Sequence, residues 1–214
     1  MSAREEILGR VSGALSGVPR SAPGAAPRPA YAAGADVADV PALFVERVED
    51  YKAVVTRVSG EGVAGAVAEA LGGARRIVVP GGLEPAWLAG LEGGLDGVEV
   101  VTDDGTLTSA QLNELDGVVT GAAVGIAVTG TIVLDHGADQ GRRALSLVPD
   151  LHVCVIREDQ LVGDVPEGVG RLSAAVADGR PLTWISGPSA TSDIELERVE
   201  GVHGPRTLHV VLVG

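Results

Sequence analysis

Residues 53–79 read AVVTRVSGEGVAGAVAEALGGARRIVV, and this stretch decides the fold class. A strand-like apolar run at 53–58 is followed by a run with helical spacing at 62–71 and a second strand-like run at 76–79. Strand, helix and strand in this order predict two parallel strands joined by a right-handed crossover. We therefore expect the chain to build a parallel sheet.

The same alternation continues toward the carboxyl terminus. Further strands are expected at 98–101, 131–134, 151–157, 182–185 and 208–213, and further helices at 84–91, 109–115 and 167–177. Because the 214 residues include only two Trp, two Tyr and one Phe, the core must be built from Val, Leu, Ile and Ala. Small branched residues of this kind fill buried strands. The predicted fold class is α/β with a mostly parallel central sheet.

The first 41 residues differ from the rest in composition. Residues 3–15 have helical spacing with one apolar stripe, whereas residues 17–41 are rich in Pro, Gly and Ala. We expect residues 1–41 to be an N-terminal helix followed by a linker, and residues 42–214 to form one folded domain.

The charge balance excludes two classes of partner. Sixteen basic and 29 acidic residues give a formal charge of -13, the wrong sign for a nucleic acid or an anionic lipid surface. Residues 117–134 carry no charge, but Asp116 and Asp135 bound them, so a helix or strand, a glycine turn and a second, buried strand are expected there rather than a membrane span. The first fifteen residues contain no apolar run typical of a signal peptide, and we expect a cytoplasmic protein.

Signatures of cofactor and metal sites are missing from the sequence. The single cysteine, Cys154, cannot form an internal disulfide or supply the thiolates of an iron–sulfur cluster. The sequence also lacks a P-loop lysine, a dinucleotide-binding glycine pattern and an HExxH pair. No cofactor and no metal are expected in this chain.

Two groups of candidate binding residues follow one another along the chain. In Thr129-Gly130-Thr131, glycine permits close approach of a ligand and the hydroxyls can bind its oxygens, although a tight turn would also use this triplet. Arg142 with Ser146 is typical of an anion site, since a guanidinium binds carboxylate or phosphate through two hydrogen bonds. The alternative is a solvated loop in which Asp135 and Asp139 pair with Arg142 and Arg143.

A third candidate group combines SGPSATSD at 186–193 with GVHGPR at 201–206. Ser192 and Glu195 fit a capping box, whose free N–H groups would favour an anion. His203 is a candidate general acid or base and Arg206 a candidate carboxylate clamp, but both residues are equally suited to fixing the Gly-Pro turn. The candidates in this group are Ser186, Gly187, Ser189, Thr191, Ser192, Asp193, Glu195, His203 and Arg206.

These motifs, taken together, resemble the lactate-utilisation protein C family, LutC/YkgG, which carries a LUD domain. The resemblance covers about residues 44–214 and rests on AVTGTIVL at 127–134, Gly141-Arg142 with SLVP at 146–149, and the two motifs of the third group. It implies a Rossmann-like sandwich similar to ribose-5-phosphate isomerase (RpiA), glucosamine-6-phosphate deaminase (NagB) and CoA transferases. This fold agrees with the alternation of strands and helices.

The resemblance also implies a role in oxidising L-lactate to pyruvate beside partner subunits that carry iron–sulfur clusters. This chain would then be an accessory or substrate-handling subunit that binds a small carboxylate or phosphate through Arg142, Ser189, His203 and Arg206. The family usually has an acidic residue before Thr-Gly-Thr where this chain has Val128, so no catalytic role is assigned at that position.

Two alternatives stay open. A stand-alone enzyme of the sugar-phosphate isomerase or CoA-transferase type needs a poised carboxylate, for which Glu195 and Asp193 are the candidates. The second alternative is a protein-interaction subunit whose loops bind only its partner.

Overall fold

The structure is a computed structural model that describes residues 2–17, 37–91, 97–188 and 204–214. It divides into two compact units, residues 1–32 and 33–214. The first contains helix α1 (Ala3–Ala14), which confirms the helix expected there. Ser2 begins this helix: its side chain accepts a hydrogen bond from the Glu5 N–H, and its own N–H donates to the Glu5 carboxylate.

In chain order, the described part of the second unit contains α2 (Val40–Asp50), β1 (Val54–Val58), α3 (Val63–Leu71), β2 (Arg76–Pro80), β3 (Glu99–Asp103), α4 (Ser109–Leu112), β4 (Gly117–Thr120), β5 (Val124–Ile126), β6 (Thr131–Leu134), β7 (Leu151–Arg157), β8 (Leu161–Val162), α5 (Val165–Arg171), α6 (Ser173–Ala177), β9 (Thr183–Ile185) and β10 (Thr207–Val213).

Six parallel strands form the central sheet, in the order β1-β10-β7-β4-β2-β3. Successive residues of β7 point to opposite faces, and both faces are buried. Val153 and Val155 pack with α3 on one face, whereas Cys154 and Ile156 pack with α2 and a second sheet on the other. The predicted α/β class with a mostly parallel central sheet is confirmed.

The second sheet has four strands in the order β8-β5-β6-β9, and β6 is antiparallel to both of its neighbours. Its inner residues Ile132 and Leu134 join Phe44 of α2 in the core between the two sheets. The uncharged residues 117–134 supply three strands, β4, β5 and β6, and the last of them is the strand predicted at 131–134. Among the described helices, none is long and apolar enough to cross a membrane.

The helices differ from expectation more than the strands do. The run at 84–91 forms a short 3₁₀ turn at Pro85–Leu88, and the run at 167–177 is divided into α5 and α6. Helix α2 begins at Val40, inside the segment interpreted as a linker, and the Asp39 carboxylate accepts the Ala42 N–H at 3.0 Å. Pro41 is typical of a linker, but proline is also favoured in the first turn of a helix.

Candidate functional site

The carboxyl ends of the parallel strands meet at one edge of the central sheet, which we call the carboxyl edge. Strands β3 and β4 lie on opposite sides of β2, and ligands of open α/β sheets bind where the strand order reverses in this way. Residues 135–142, the covering loop, lie over this point. The Gly82 N–H donates to the Ala138 carbonyl at 3.0 Å, and the Gly121 N–H donates to the Asp139 carbonyl at 2.8 Å.

Hydrogen bonds within the covering loop fix its shape. Gln140 is buried, and its side-chain oxygen accepts the N–H groups of Asp135 at 2.7 Å and His136 at 3.1 Å. His136 has a φ of 56°, which is rare for a residue with a side chain. Its Nδ1 lies 2.7 Å from the Gly141 carbonyl and therefore carries the proton, while Nε2 lies 2.8 Å from Thr183 Oγ1. The His136 ring thus links two parts of the covering loop and also joins the loop to Thr183 of β9.

Arg142 lies at the carboxyl edge, but its guanidinium binds protein groups. It donates to both oxygens of Asp103, at 2.9 and 3.0 Å, and to the Leu107 carbonyl at 2.6 Å. The Asp103 side chain is only 5% exposed. This pairing differs from the solvated-loop alternative, since Asp135 pairs with Arg180 instead, at 3.0 Å.

Ser146 ends the 3₁₀ turn Arg143–Ser146. Its hydroxyl is buried and donates to the Arg143 carbonyl at 3.3 Å. The described contact of this predicted anion-site residue is therefore within its own turn.

An open cleft of about 540 Å³ lies beyond the carboxyl ends of β4 and β7. We call it the carboxyl-edge cleft. None of the predicted site residues that the structure describes lines it. Its charged and amide-bearing residues are Asp135, Asp139, Gln140, Arg157, Gln160, Arg171 and Arg180. One signal was available: Arg157 ends the strand predicted at 151–157, where a parallel sheet places ligand-binding groups.

The first and third predicted groups meet in a cluster of hydroxyls. Thr131 Oγ1 lies 2.8 Å from Thr129 Oγ1 and 2.8 Å from Ser186 Oγ, and we call these three residues the hydroxyl cluster. Gly130 has a φ of 55°, and a Cβ there would lie 2.7 Å from the Arg47 carbonyl of α2. The glycine is needed for close packing against this helix. The triplet 129–131 therefore forms a tight turn and also brings hydroxyl groups together.

Val128 directly precedes the hydroxyl cluster. The residue is 36% exposed, and its N–H donates to the Gly163 carbonyl at 3.2 Å. An acidic residue at this position would lie beside Thr129, but valine offers no group that transfers a proton.

Gly187 and Arg206 are the remaining described candidates. Both lie at the amino edge of the central sheet, opposite the carboxyl edge. A Cβ on Gly187 would lie 2.8 Å from Tyr51 Cβ, just before β1. Arg206 directly precedes β10, and Asp150 directly precedes β7. The Arg206 side chain is 61% exposed and lies 3.5 Å from the Asp150 carboxylate. Arg206 and Arg142 are therefore at opposite edges and do not line one pocket. Outside the described residues lie Ser189, Thr191, Ser192, Asp193, Glu195 and His203.

Comparison with known proteins gives the family. A family model described as LUD domain matches residues 42–213. This chain belongs to the LUD domain family. Over 212 residues it is 51% identical to lactate utilization protein C of Deinococcus radiodurans, a match covering 99% of this chain and 96% of that protein. The predicted resemblance is confirmed.

Shorter matches agree with this assignment. Lactate utilization protein C of Bacillus subtilis is 30% identical over 99 residues, 44% of this chain and 41% of that protein. A crystal structure of a DUF162 family protein from Deinococcus radiodurans is 50% identical, with a TM-score of 0.71, and covers 82% of this chain and 96% of that chain. Both the carboxyl-edge cleft and the hydroxyl cluster lie within the LUD domain.

The core of the LUD domain contains two buried titratable groups. His152 is fully buried, and burial lowers its pKa to about 4. Burial raises the pKa of the Cys154 thiol to about 12. In the described parts of the chain, no three His, Cys, Asp or Glu side chains are grouped so that they could hold a metal ion.

Proposed function

We propose that this chain is a component of an L-lactate utilisation system that oxidises L-lactate to pyruvate, in an accessory or substrate-handling role. The observation that carries this proposal is the 51% identity to a lactate utilization protein C over 99% of the chain. Identity at this level, spread over both units, supports a shared role more strongly than a common fold does, because one fold serves many functions.

The proposed partners are iron–sulfur subunits. Oxidation of lactate to pyruvate releases two electrons and two protons, and an acceptor has to take the electrons. One cysteine cannot supply the thiolates of a cluster, and Cys154 is buried. In this proposal the clusters therefore belong to partner proteins, and this chain binds or positions the substrate.

The hydroxyl cluster is the proposed substrate site. Hydroxyls of Thr129, Thr131 and Ser186 are suited to donate to the lactate carboxylate. His203 is proposed to take the hydroxyl proton, while the carbon-bound hydrogen leaves with its electron pair to an acceptor on a partner. Support comes from Gly204, which follows His203 in the chain: a Cβ there would lie 3.6 Å from the Pro188 carbonyl, close in sequence to Ser186.

Arg206 is the proposed carboxylate clamp of this site. Its described ion pair joins it to Asp150, and the two side chains are 61% and 65% exposed. Exposed pairs of this kind are weak, so the guanidinium is able to exchange Asp150 for a substrate carboxylate.

Co-purification tests the proposal. The tagged chain is expressed in its own host during growth on L-lactate and purified without oxygen, and the eluate is assayed for dye-linked lactate oxidation. We expect cysteine-rich iron–sulfur proteins in near-equal amounts, together with activity. A chain that elutes alone and inactive overturns the proposal. If the complex with iron–sulfur partners forms but a His203→Gln variant keeps full activity, the proposed substrate site is overturned.

A second candidate function is a stand-alone small-molecule enzyme of the sugar-phosphate isomerase or CoA-transferase type. The carboxyl-edge cleft favours it, since α/β enzymes bind substrates at this edge. A chain that elutes alone but binds phosphate esters or thioesters would support it. Iron–sulfur partners bound to a chain that has no ligand of its own would support a protein-interaction subunit instead.

A further inference from the structure

The carboxyl-edge cleft is much larger than lactate requires. Its volume is about 540 Å³. Pockets for small ligands typically measure about 300–1,000 Å³. A three-carbon monocarboxylate fills a minor part of this space, so the cleft has the dimensions of a larger ligand.

Three arginines from separate segments line the cleft. Arg157 ends β7, Arg171 ends α5, and Arg180 follows α6. Two carboxylates, those of Asp135 and Asp139, also line it, and the arginines lie near three further carboxylates, those of Asp159, Glu167 and Asp178. Three guanidiniums that line one cleft favour an anionic ligand, because each can turn some of its N–H donors to a carboxylate or phosphate.

The present contacts of these guanidiniums leave capacity for a ligand. Arg157 Nε lies 3.2 Å from the Asp159 carboxylate, which is 75% exposed, and Arg171 donates to the Asp159 carbonyl at 2.7 Å. Arg171 Nη2 also lies 3.6 Å from Glu167. Arg180 lies 3.0 Å from Asp135, whose side chain is only 17% exposed, and 3.9 Å from Asp178. The exposed pairs of Arg157 and Arg171 are weak and each guanidinium has several N–H donors, so a bound anion is able to take some of them.

The acidic wall gives the ligand an orientation. Asp139 lies against the end of β4, where any Cβ on Gly121 would collide with its carboxylate. This carboxylate repels anionic groups and accepts hydrogen bonds from hydroxyls. Gln160 is fixed in the lining, since its oxygen accepts the Arg157 N–H at 2.8 Å and its amide donates to the Ala122 carbonyl at 2.5 Å.

We propose that the carboxyl-edge cleft binds a small polyanion that carries at least two anionic groups together with hydroxyl groups. The anionic groups lie against Arg157, Arg171 and Arg180, and the hydroxyls face Asp139. This inference goes beyond the role in lactate utilisation, because it rests on the cleft alone and is tested on the purified chain without partners.

Calorimetric titration of the full chain tests the proposal, with inorganic pyrophosphate, citrate and L-lactate as probes at constant ionic strength. We expect pyrophosphate or citrate to bind at least tenfold more tightly than lactate. Tighter binding of pyrophosphate identifies phosphate groups as the natural anions, and tighter binding of citrate identifies carboxylates. Absence of binding by both polyanions overturns the proposal.

Variants locate the site. R157Q and R171Q are each expected to weaken polyanion binding about tenfold or more, and R157K is expected to lose less than R157Q. The matched control is R76Q, since Arg76 is 44% exposed, pairs with Glu99 and lies outside the cleft. Equal losses in R76Q, or unchanged affinity in both cleft variants at an unchanged Tm, overturn the proposal.

Discussion

His152 Nε2 lies 2.8 Å from Thr120 Oγ1, and both side chains are fully buried between the two sheets. No described group partners His152 Nδ1. A proton on both nitrogens would place a charge in an apolar core with one donor unpaired, so burial lowers the pKa of His152 to about 4 from its usual 6.5.

This histidine makes stability pH-dependent. Between pH of about 6.5 and about 4 the unfolded chain binds a proton at His152 that the folded chain does not. The free energy of unfolding is therefore expected to fall as the pH drops through this window, by about 3 kcal/mol in total, and this contribution to level off below it. Urea unfolding from pH 4 to 7 measures the slope, and H152Q should flatten it. An identical slope in H152Q contradicts the assignment, and H209Q, which removes a half-buried histidine, should flatten it less.

Arg142 is expected to stabilise the carboxyl edge. R142Q leaves the buried Asp103 carboxylate without its cation, and we expect the free energy of unfolding to fall by about 2 kcal/mol. This value is smaller than for a fully buried pair because Arg142 is 34% exposed. R76Q, whose partner Glu99 is 59% exposed, should lose less than about 0.5 kcal/mol. Urea unfolding compares the two variants. If D103N/R142Q is no more stable than R142Q, the uncompensated carboxylate is not the cause.

The strands were more predictable than the site, for a physical reason. Strand β7 has the bounds predicted for it, because a strand buried on both faces leaves a continuous apolar run in the sequence. Helix α2 was missed because its first turn contains Pro41, which also marks linkers.

The site depends on contacts that are distant in sequence. Thr131 and Ser186 are 55 residues apart, and Arg142 and Asp103 are 39 apart. Motifs reveal which side chains are available, but the partner of each is set by strand order, which the sequence pattern left open. For that reason Arg142 was predicted to bind a ligand anion, although the chain supplies its own carboxylate.

Thr131 is expected to matter for substrate handling. T131V keeps the shape of a nearly buried side chain but removes the hydroxyl between Thr129 and Ser186. We expect a loss of about 1 kcal/mol in stability and at least a tenfold loss of lactate oxidation in the purified complex. T207V removes an exposed hydroxyl at the start of β10 and should change neither. Full activity in T131V would place the substrate elsewhere.

Gly82 is expected to hold the covering loop in position. A Cβ there would lie 2.6 Å from Ala138 Cβ and 2.7 Å from the Ala138 carbonyl, so G82A must displace the loop backbone. We expect destabilisation of about 1–3 kcal/mol and weaker polyanion binding. In G65A the new methyl meets open space within α3, and the variant should be neutral or up to about 1 kcal/mol more stable. Thermal unfolding of both variants checks this, and equal Tm values would show that the loop moves freely.

Cys154 is expected to report global unfolding. The thiol is fully buried beside Thr120, its pKa is raised to about 12, and the thiolate that reacts with alkylating reagents is therefore scarce and inaccessible in the folded chain. Because the sequence has no other cysteine, iodoacetamide labelling followed by mass spectrometry measures this single site. Labelling should be negligible at neutral pH and rise with urea in parallel with the loss of secondary structure. Labelling that precedes unfolding would instead mean that the layer between the two sheets opens locally, since Cys154 lies in that layer.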